Sequence, residues 1–153
     1  MTTAISLPLQ PKLYETDHYL WIETTLQQLE NKDVNNLDWQ HLVEEIEALG
    51  IEQRRKVESY LKQLLIHLLL YRYWETEKGS CQRGWNIEIA NFRDELEFSF
   101  RSKTLYNYFL TCLEQVYAKS RRQAIQKTGL HPNVFPKQCP FSIKDILDDE
   151  YFP

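Results

Sequence analysis

Apolar residues recur along this chain at intervals of three and four, and no stretch alternates apolar with polar at a period of two. Tyr19, Ile22, Leu26 and Leu29 form one such row, and "ENKDVNN" ends it. Trp39, Leu42, Ile46 and Leu49 form a second, opening behind Asp38, a side chain suited to cap a helix N-terminus. Each row predicts a helix with that face buried. Gly50 is expected to be either the left-handed terminator of the second helix or a weak point in a longer rod. A third helix is predicted over about 52–74, with Val57, Leu61, Leu64, Leu68 and Tyr71 as its main face. Ile66 and Leu69 point elsewhere, so this helix is apolar nearly all round and is expected at the centre of a bundle or against another chain.

The stretch "EKGSCQRG", with two glycines, is expected to close the first half. Trp85, Ile89, Phe92 and Leu96 then make another one-sided row. "RSKT" interrupts it, Ser102 or Thr104 being a fit cap for a helix running through Leu105, Phe109, Cys112 and Val116 to a stop at Gly129. The ending "LHPNVFPKQCPFSIKDILDDEYFP" contains four of the six prolines, and Ser142 and Asp145 there have capping-box spacing. These elements predict an all-α fold: a single-domain helical bundle of about five main helices with a proline-rich C-terminal tail packed on it. Residues 14–153 form that domain. Residues 1–13, punctuated by the prolines of "LPLQPKL", are expected to be a flexible N-terminal arm.

Composition narrows the function classes. At 153 residues with 42% hydrophobic positions, the chain is long enough for one real core. A formal net charge of -4 supplies no general attraction to nucleic acid, so charge argues against a nucleic-acid partner. The basic cluster Lys119, Arg121, Arg122 and Lys127 is narrow and reads as a solvated helix end. Three separated cysteines, with no CxxC pair, argue against a zinc ribbon or redox dithiol. The first residues lack the basic start and apolar stretch of a signal peptide, and the apolar run "LLIHLLLYRYW" is shorter than the roughly 20 residues of a spanning helix. No membrane association and a cytoplasmic location are expected.

Candidate chemistry is confined to a few side chains. Asp38, His41 and Glu45 share a stripe beside the apolar face of the second helix, and a carboxylate, an imidazole and a second carboxylate suit manganese or iron. The alternative is an N-cap aspartate with Glu45 bridged to Arg93 of another helix. Arg93 is also a candidate for an anionic ligand. His67, inside the most apolar run, is either a ligand-binding group or, more plainly, a neutral core imidazole with one ring nitrogen hydrogen-bonded. No phosphate loop, GxSxG elbow, HExxH or kinase signature is present, so catalytic residues stay unknown and no cofactor is expected beyond that divalent metal.

Five stretches together carry a resemblance: "YETD" followed by Trp21, "LDWQHLVEEIEALG", "LLIHLLL", Trp85-x-x-x-Ile89-x-x-x-Arg93, and "FPKQCPFSIKDILDDEYFP". In combination they resemble the bacterial family called domain of unknown function 29, abundant in cyanobacteria, over nearly the whole chain. The resemblance implies an all-helical domain and no particular reaction. Where the family pattern commonly places a lysine after "LLHLL", this chain has Leu70.

The function expected from these features is a helical protein–protein interaction or regulatory accessory module. Its partner would be an unidentified protein or a second copy. Ile66, Leu69, Phe141, Tyr151 and Phe152 are its expected contact surface. The alternative is an enzyme or ligand-binding protein with a site around Asp38, His41, Glu45, His67 and Arg93.

Overall fold

A computed structural model describes residues 10–153, and among them there are helices, turns and no strands. In order the helices are α1 (Gln10–Thr16), α2 (His18–Glu30), α3 (Trp39–Tyr73), α4 (Glu75–Ser99), α5 (Lys103–Thr128) and α6 (Ile143–Leu147). Short 3-10 turns sit at Val34–Asn36 and Pro132–Val134. The fold is all-α. Its described residues fall into two compact units, one ending at Ile51 and the other spanning Glu52–Pro153.

Three boundaries differ from the pattern's expectation, each for a local reason. The expected arm over 1–13 lies outside the described residues as far as residue 9, but Gln10–Leu13 already belong to α1. Pro11 stands in the first turn of α1, where a missing N–H costs no helical hydrogen bond. The predicted second and third helices are one: α3 runs 35 residues straight through Gly50. Gly50 keeps a negative φ and meets nothing where a Cβ would stand, so it weakens the helix by about 1 kcal/mol without ending it. Likewise Gly79 and Gly84 of the expected break lie inside α4. The actual break is the single residue Trp74, whose ring stacks on Trp85 of α4.

The expected caps form where the side chains allow. Ser102 accepts a hydrogen bond from the Leu105 amide, Ser142 from the Asp145 amide, and Gly129 closes α5 at φ +67°. Glu75 and Glu77 in the first turn of α4 complement the positive end of its dipole.

The second unit holds the core. Val57, Leu61, Leu64, Leu65 and Leu68 of α3 are fully buried against Trp85, Ile89 and Leu96 of α4 and Phe109, Val116 and Tyr117 of α5. The tail closes this core with Phe135, Phe141 and Ile146. Tyr117 donates its hydroxyl to the Pro136 carbonyl, and Arg121 donates to the carbonyls of Phe135 and Pro132, so the proline-rich strap is held through its backbone. That is why Arg121 does not behave as part of a free basic cluster. Being surrounded on every side explains the all-round apolar character of α3 here, and Leu70 is one of its fully buried residues.

Candidate functional site

In the first unit α2 and the start of α3 form an antiparallel hairpin, and α1 packs against it. The pairing is visible in three contacts: Gln28 donates to the Asn36 carbonyl, Trp21 donates its indole N–H to Asp38 Oδ2 at 3.0 Å, and His18 Nε2 lies 3.1 Å from Glu45 Oε1. Descending α2 thus matches ascending α3.

Asp38 and His41 form a dyad. The ring nitrogen Nδ1 of His41 lies 2.6 Å from Asp38 Oδ2, and the His41 amide reaches Asp38 Oδ1 at 3.5 Å. Burial by itself would raise the Asp38 pKa, but the hydrogen bonds from His41 and Trp21 outweigh it and hold the carboxyl below its ordinary value. Asp38 is therefore an ionised acceptor and the Nδ1–H of His41 its donor. Glu45 is occupied too. The Tyr14 hydroxyl donates to Glu45 Oε1 at 2.6 Å; this bond, with that of His18, lowers the Glu45 pKa, and the bond to Glu45 with burial raises that of Tyr14. The Tyr14 ring stacks on the His41 ring at 3.9 Å and meets the Trp21 edge at 5.1 Å.

The arrangement ties three helices together through two carboxylates. An imidazole steered by a carboxylate has the preparation of a general base. The hydroxyl of Tyr14, whose ring stacks on it, is committed to Glu45. Among the described residues no three His, Cys, Asp or Glu side chains are grouped as a metal site requires. Asp38 and His41 face each other, and Glu45 faces Tyr14 and His18. Sequence spacing along α3 found Asp38, His41 and Glu45 but missed Tyr14 and His18. Those two belong with Trp21 to an i, i+4, i+7 row that crosses the break at Asp17, so no single-helix pattern shows it.

The expected Glu45–Arg93 bridge is not formed. Arg93, 3% exposed, donates Nε to the Ile146 carbonyl at 2.9 Å and Nη2 to the Asp145 carbonyl at 3.0 Å. Its guanidinium carbon lies 5.5 Å from the Phe152 ring centroid. Burial lowers the guanidinium pKa, and the fields of Asp149 and Asp148 oppose that. Arg93 thus clamps the end of α6 through its backbone, with Asp149, Asp148 and Asp145 near enough to favour its charge, while its buried Nη1 has no hydrogen-bond partner among the described residues.

His67 is half-buried, with Nδ1 2.7 Å from the Gln63 carbonyl one turn back and the ring 5.7 Å from Phe92. Desolvation lowers its pKa, so the imidazole is neutral at pH 7. The contact surface expected from Ile66, Leu69 and Phe141 is also displaced. All three are buried in the core of the second unit because α4, α5 and the tail cover α3 there. Tyr151 is half-buried, and Phe152, 37% exposed, lies tilted against Tyr71 with ring centroids 5.8 Å apart.

Exposed apolar surface lies instead where burial was predicted. Tyr19, Ile22, Leu26 and Leu29 of α2 all face solvent, Tyr19 at 70%. Of the row predicted on α3, Trp39, Ile46 and Leu49 also face solvent, Trp39 at 55% and Ile46 at 61%, while Leu42 is half-buried and Val43 beside it is exposed. The inward rows are Trp21 and Thr25 on α2, and Asp38, His41 and Glu45 on α3. On each helix the apolar row is rotated roughly 100° from the inward row in the same sense, taking 100° per residue. Because the helices are antiparallel, equal rotation brings both rows to one side of the hairpin. No helix of the described residues is long and apolar enough to cross a membrane.

No curated protein and no solved structure matches the chain. The family model "Domain of unknown function DUF29" matches residues 13–152, and the chain belongs to that family.

Proposed function

We propose that this chain is a cytoplasmic protein–protein interaction module, and that its docking surface is the apolar side of the α2–α3 hairpin. The observation that carries the reading is the outward pair of rows, Tyr19–Ile22–Leu26–Leu29 and Trp39–Val43–Ile46–Leu49. Eight large apolar side chains, each exposing about half its surface, exceed the roughly 300–600 Å² that makes the largest patch on an ordinary monomer. Leaving such a row in water forgoes about 25 cal/mol for each square ångström, a stabilisation that a partner would recover. The polar network behind it, Asp38 to Trp21 and His41 and Glu45 to Tyr14 and His18, supports the same role by fixing the two helices as a rigid platform. Three unpaired cysteines accord with a reducing compartment.

The test is affinity capture from the source cell with the wild-type chain and with Ile46→Glu as parallel baits. The reading expects a stoichiometric partner on the wild type that is lost from the variant, whose fold is unchanged by circular dichroism. Equal recovery on both baits, or none on either, overturns it.

A further inference from the structure

The chemistry of the occupant can be read from the charges around the apolar side. Between Gln10 and Ile51 the chain carries nine carboxylates against two lysines, Lys12 and Lys32. From Glu52 onward the balance is reversed, with 16 Lys and Arg against 13 Asp and Glu. The acidity is thus local to the unit that bears the exposed rows. On helical spacing, Glu23 and Glu30 border the Tyr19–Leu26 row of α2, and Glu47 borders Val43 of α3; all three are exposed. The unit's two lysines lie outside the α2 and α3 rows themselves, Lys12 on α1 and Lys32 in the turn after α2.

We infer that this face receives a basic amphipathic helix of another protein: leucine-type residues at i, i+3, i+4 and i+7 laid along the hairpin, flanked by lysine or arginine that meets Glu23, Glu30 and Glu47. Two side-by-side helices with apolar rows on one side leave a shallow trough between them, the shape a third helix fills. A second copy of the hairpin is the poorer occupant, because face to face it sets one acidic border against another. The inference rests on the interaction-module reading and adds the sign of the partner's charge.

The experiment uses the purified full chain and three synthetic peptides of about 18 residues with one leucine pattern and lysine, glutamine or glutamate elsewhere. Binding is followed by peptide fluorescence anisotropy, and oligomeric state by light scattering. The expected result is that the lysine peptide binds at least about tenfold tighter than the glutamate peptide and weakens as salt rises from about 0.05 to 0.5 M. Ile46→Glu and Leu26→Glu should each abolish that binding, although both add negative charge. A purely electrostatic contact would be strengthened by them, so stronger binding by the variants overturns the inference. Equal binding of all three peptides, lost in both variants, overturns the charge assignment while leaving the docking face in place. A wild-type dimer that Ile46→Glu makes monomeric shows the face covered by a second copy and also overturns the inference. If no peptide binds and neither variant changes oligomeric state, the docking face itself is lost with it.

Discussion

Trp21 on α2 donates its indole N–H to Asp38 at 3.0 Å, with both side chains buried, and this bond decides which way the apolar rows of the first unit face. With Trp21 turned inward to its acceptor, Tyr19, Ile22 and Leu26 are carried round to the solvent side by helical geometry alone.

Asp38→Ala should therefore loosen the hairpin as a whole. The substitution leaves the Trp21 N–H and the His41 Nδ1–H without a partner and removes an acceptor at the start of α3. A loss of about 2–4 kcal/mol is expected in the first unit. Hydrogen exchange read by mass spectrometry over residues 18–51 checks it. Protection there should fall while that over residues 61–96 is retained. Asp38→Asn, which still accepts from Trp21, should fall between.

Much of the fold is legible in the sequence, because propensity, capping and spacing agree. Ser102, Ser142 and Gly129 are recognised from chemistry that acts within one turn. The orientation of α2 and the first half of α3 is not legible in the same way. Periodicity ranks apolar side chains by type, whereas here one tryptophan with a carboxylate partner outweighs four aliphatic and aromatic residues. The same applies to Arg93. Its place at the edge of an apolar row marks it as inward-reaching, but its partners are the Asp145 and Ile146 carbonyls, which side-chain patterns cannot announce. Gly50, Gly79 and Gly84 mislead for a different reason: an isolated glycine in a long helix is a modest cost, and flanking turns sustain the helix through it.

Acid should weaken the first unit in a defined window. Asp38 and Glu45 both have folded pKa values held below their ordinary values of 3.8 and 4.5. A carboxylate with a depressed folded pKa stabilises the fold above its unfolded pKa and loses that contribution as pH falls through the folded value. The hairpin should be at full strength above about pH 5 and lose it progressively below pH 4. Hydrogen exchange over residues 18–51 as a function of pH, corrected for intrinsic rates, tests this. Glu45→Gln should flatten part of the dependence; an unchanged profile would show that Glu45 contributes nothing to it.

Tyr108 gives the second unit its own alkaline signature. Its hydroxyl donates to Glu58 Oε1 at 2.5 Å, and that bond, with burial and the carboxylate's charge, pushes the phenol up to about 12. A raised phenol pKa stabilises the fold below the unfolded value near 10 and is lost as pH rises through the folded value. Absorbance titration near 295 nm should show a late-ionising component, to which Tyr117 also contributes, and Tyr108→Phe should reduce its amplitude by one phenol. Glu58→Gln should move the Tyr108 part of that component to lower pH.

Arg93 is expected to hold the tail. Arg93→Met removes both donors to the end of α6 and the charge beside Phe152 and the acidic tail. The cost should be about 2–4 kcal/mol, because the buried Ile146 carbonyl and the half-buried Asp145 carbonyl both lose their donor. Limited trypsin digestion gives the specific readout, since Lys144 is exposed at the start of α6. Cleavage after Lys144 should accelerate about tenfold or more in the variant, in proportion to local opening. Arg93→Lys should rescue only partly, because one ammonium lacks the planar fork that reaches two successive carbonyls.

Gly50 and Gly129 make opposite predictions from the same substitution, and together they test the continuity of α3. Gly50 is exposed, has no positive φ, and an added Cβ meets nothing within 4 Å. Gly50→Ala should therefore stabilise the chain by about 0.5–1 kcal/mol, by restricting the unfolded backbone and favouring the helix. Gly129 has the same open surroundings but sits at φ +67°, where its amide bonds the Ile125 carbonyl. Gly129→Ala should destabilise by about 1 kcal/mol, through the left-handed conformation alone. Urea unfolding of both variants beside wild type separates the cases. A destabilising Gly50→Ala would place a left-handed turn at residue 50 and divide α3 into two helices. Stabilisation at 50 with destabilisation at 129 is the result that a continuous 35-residue helix requires.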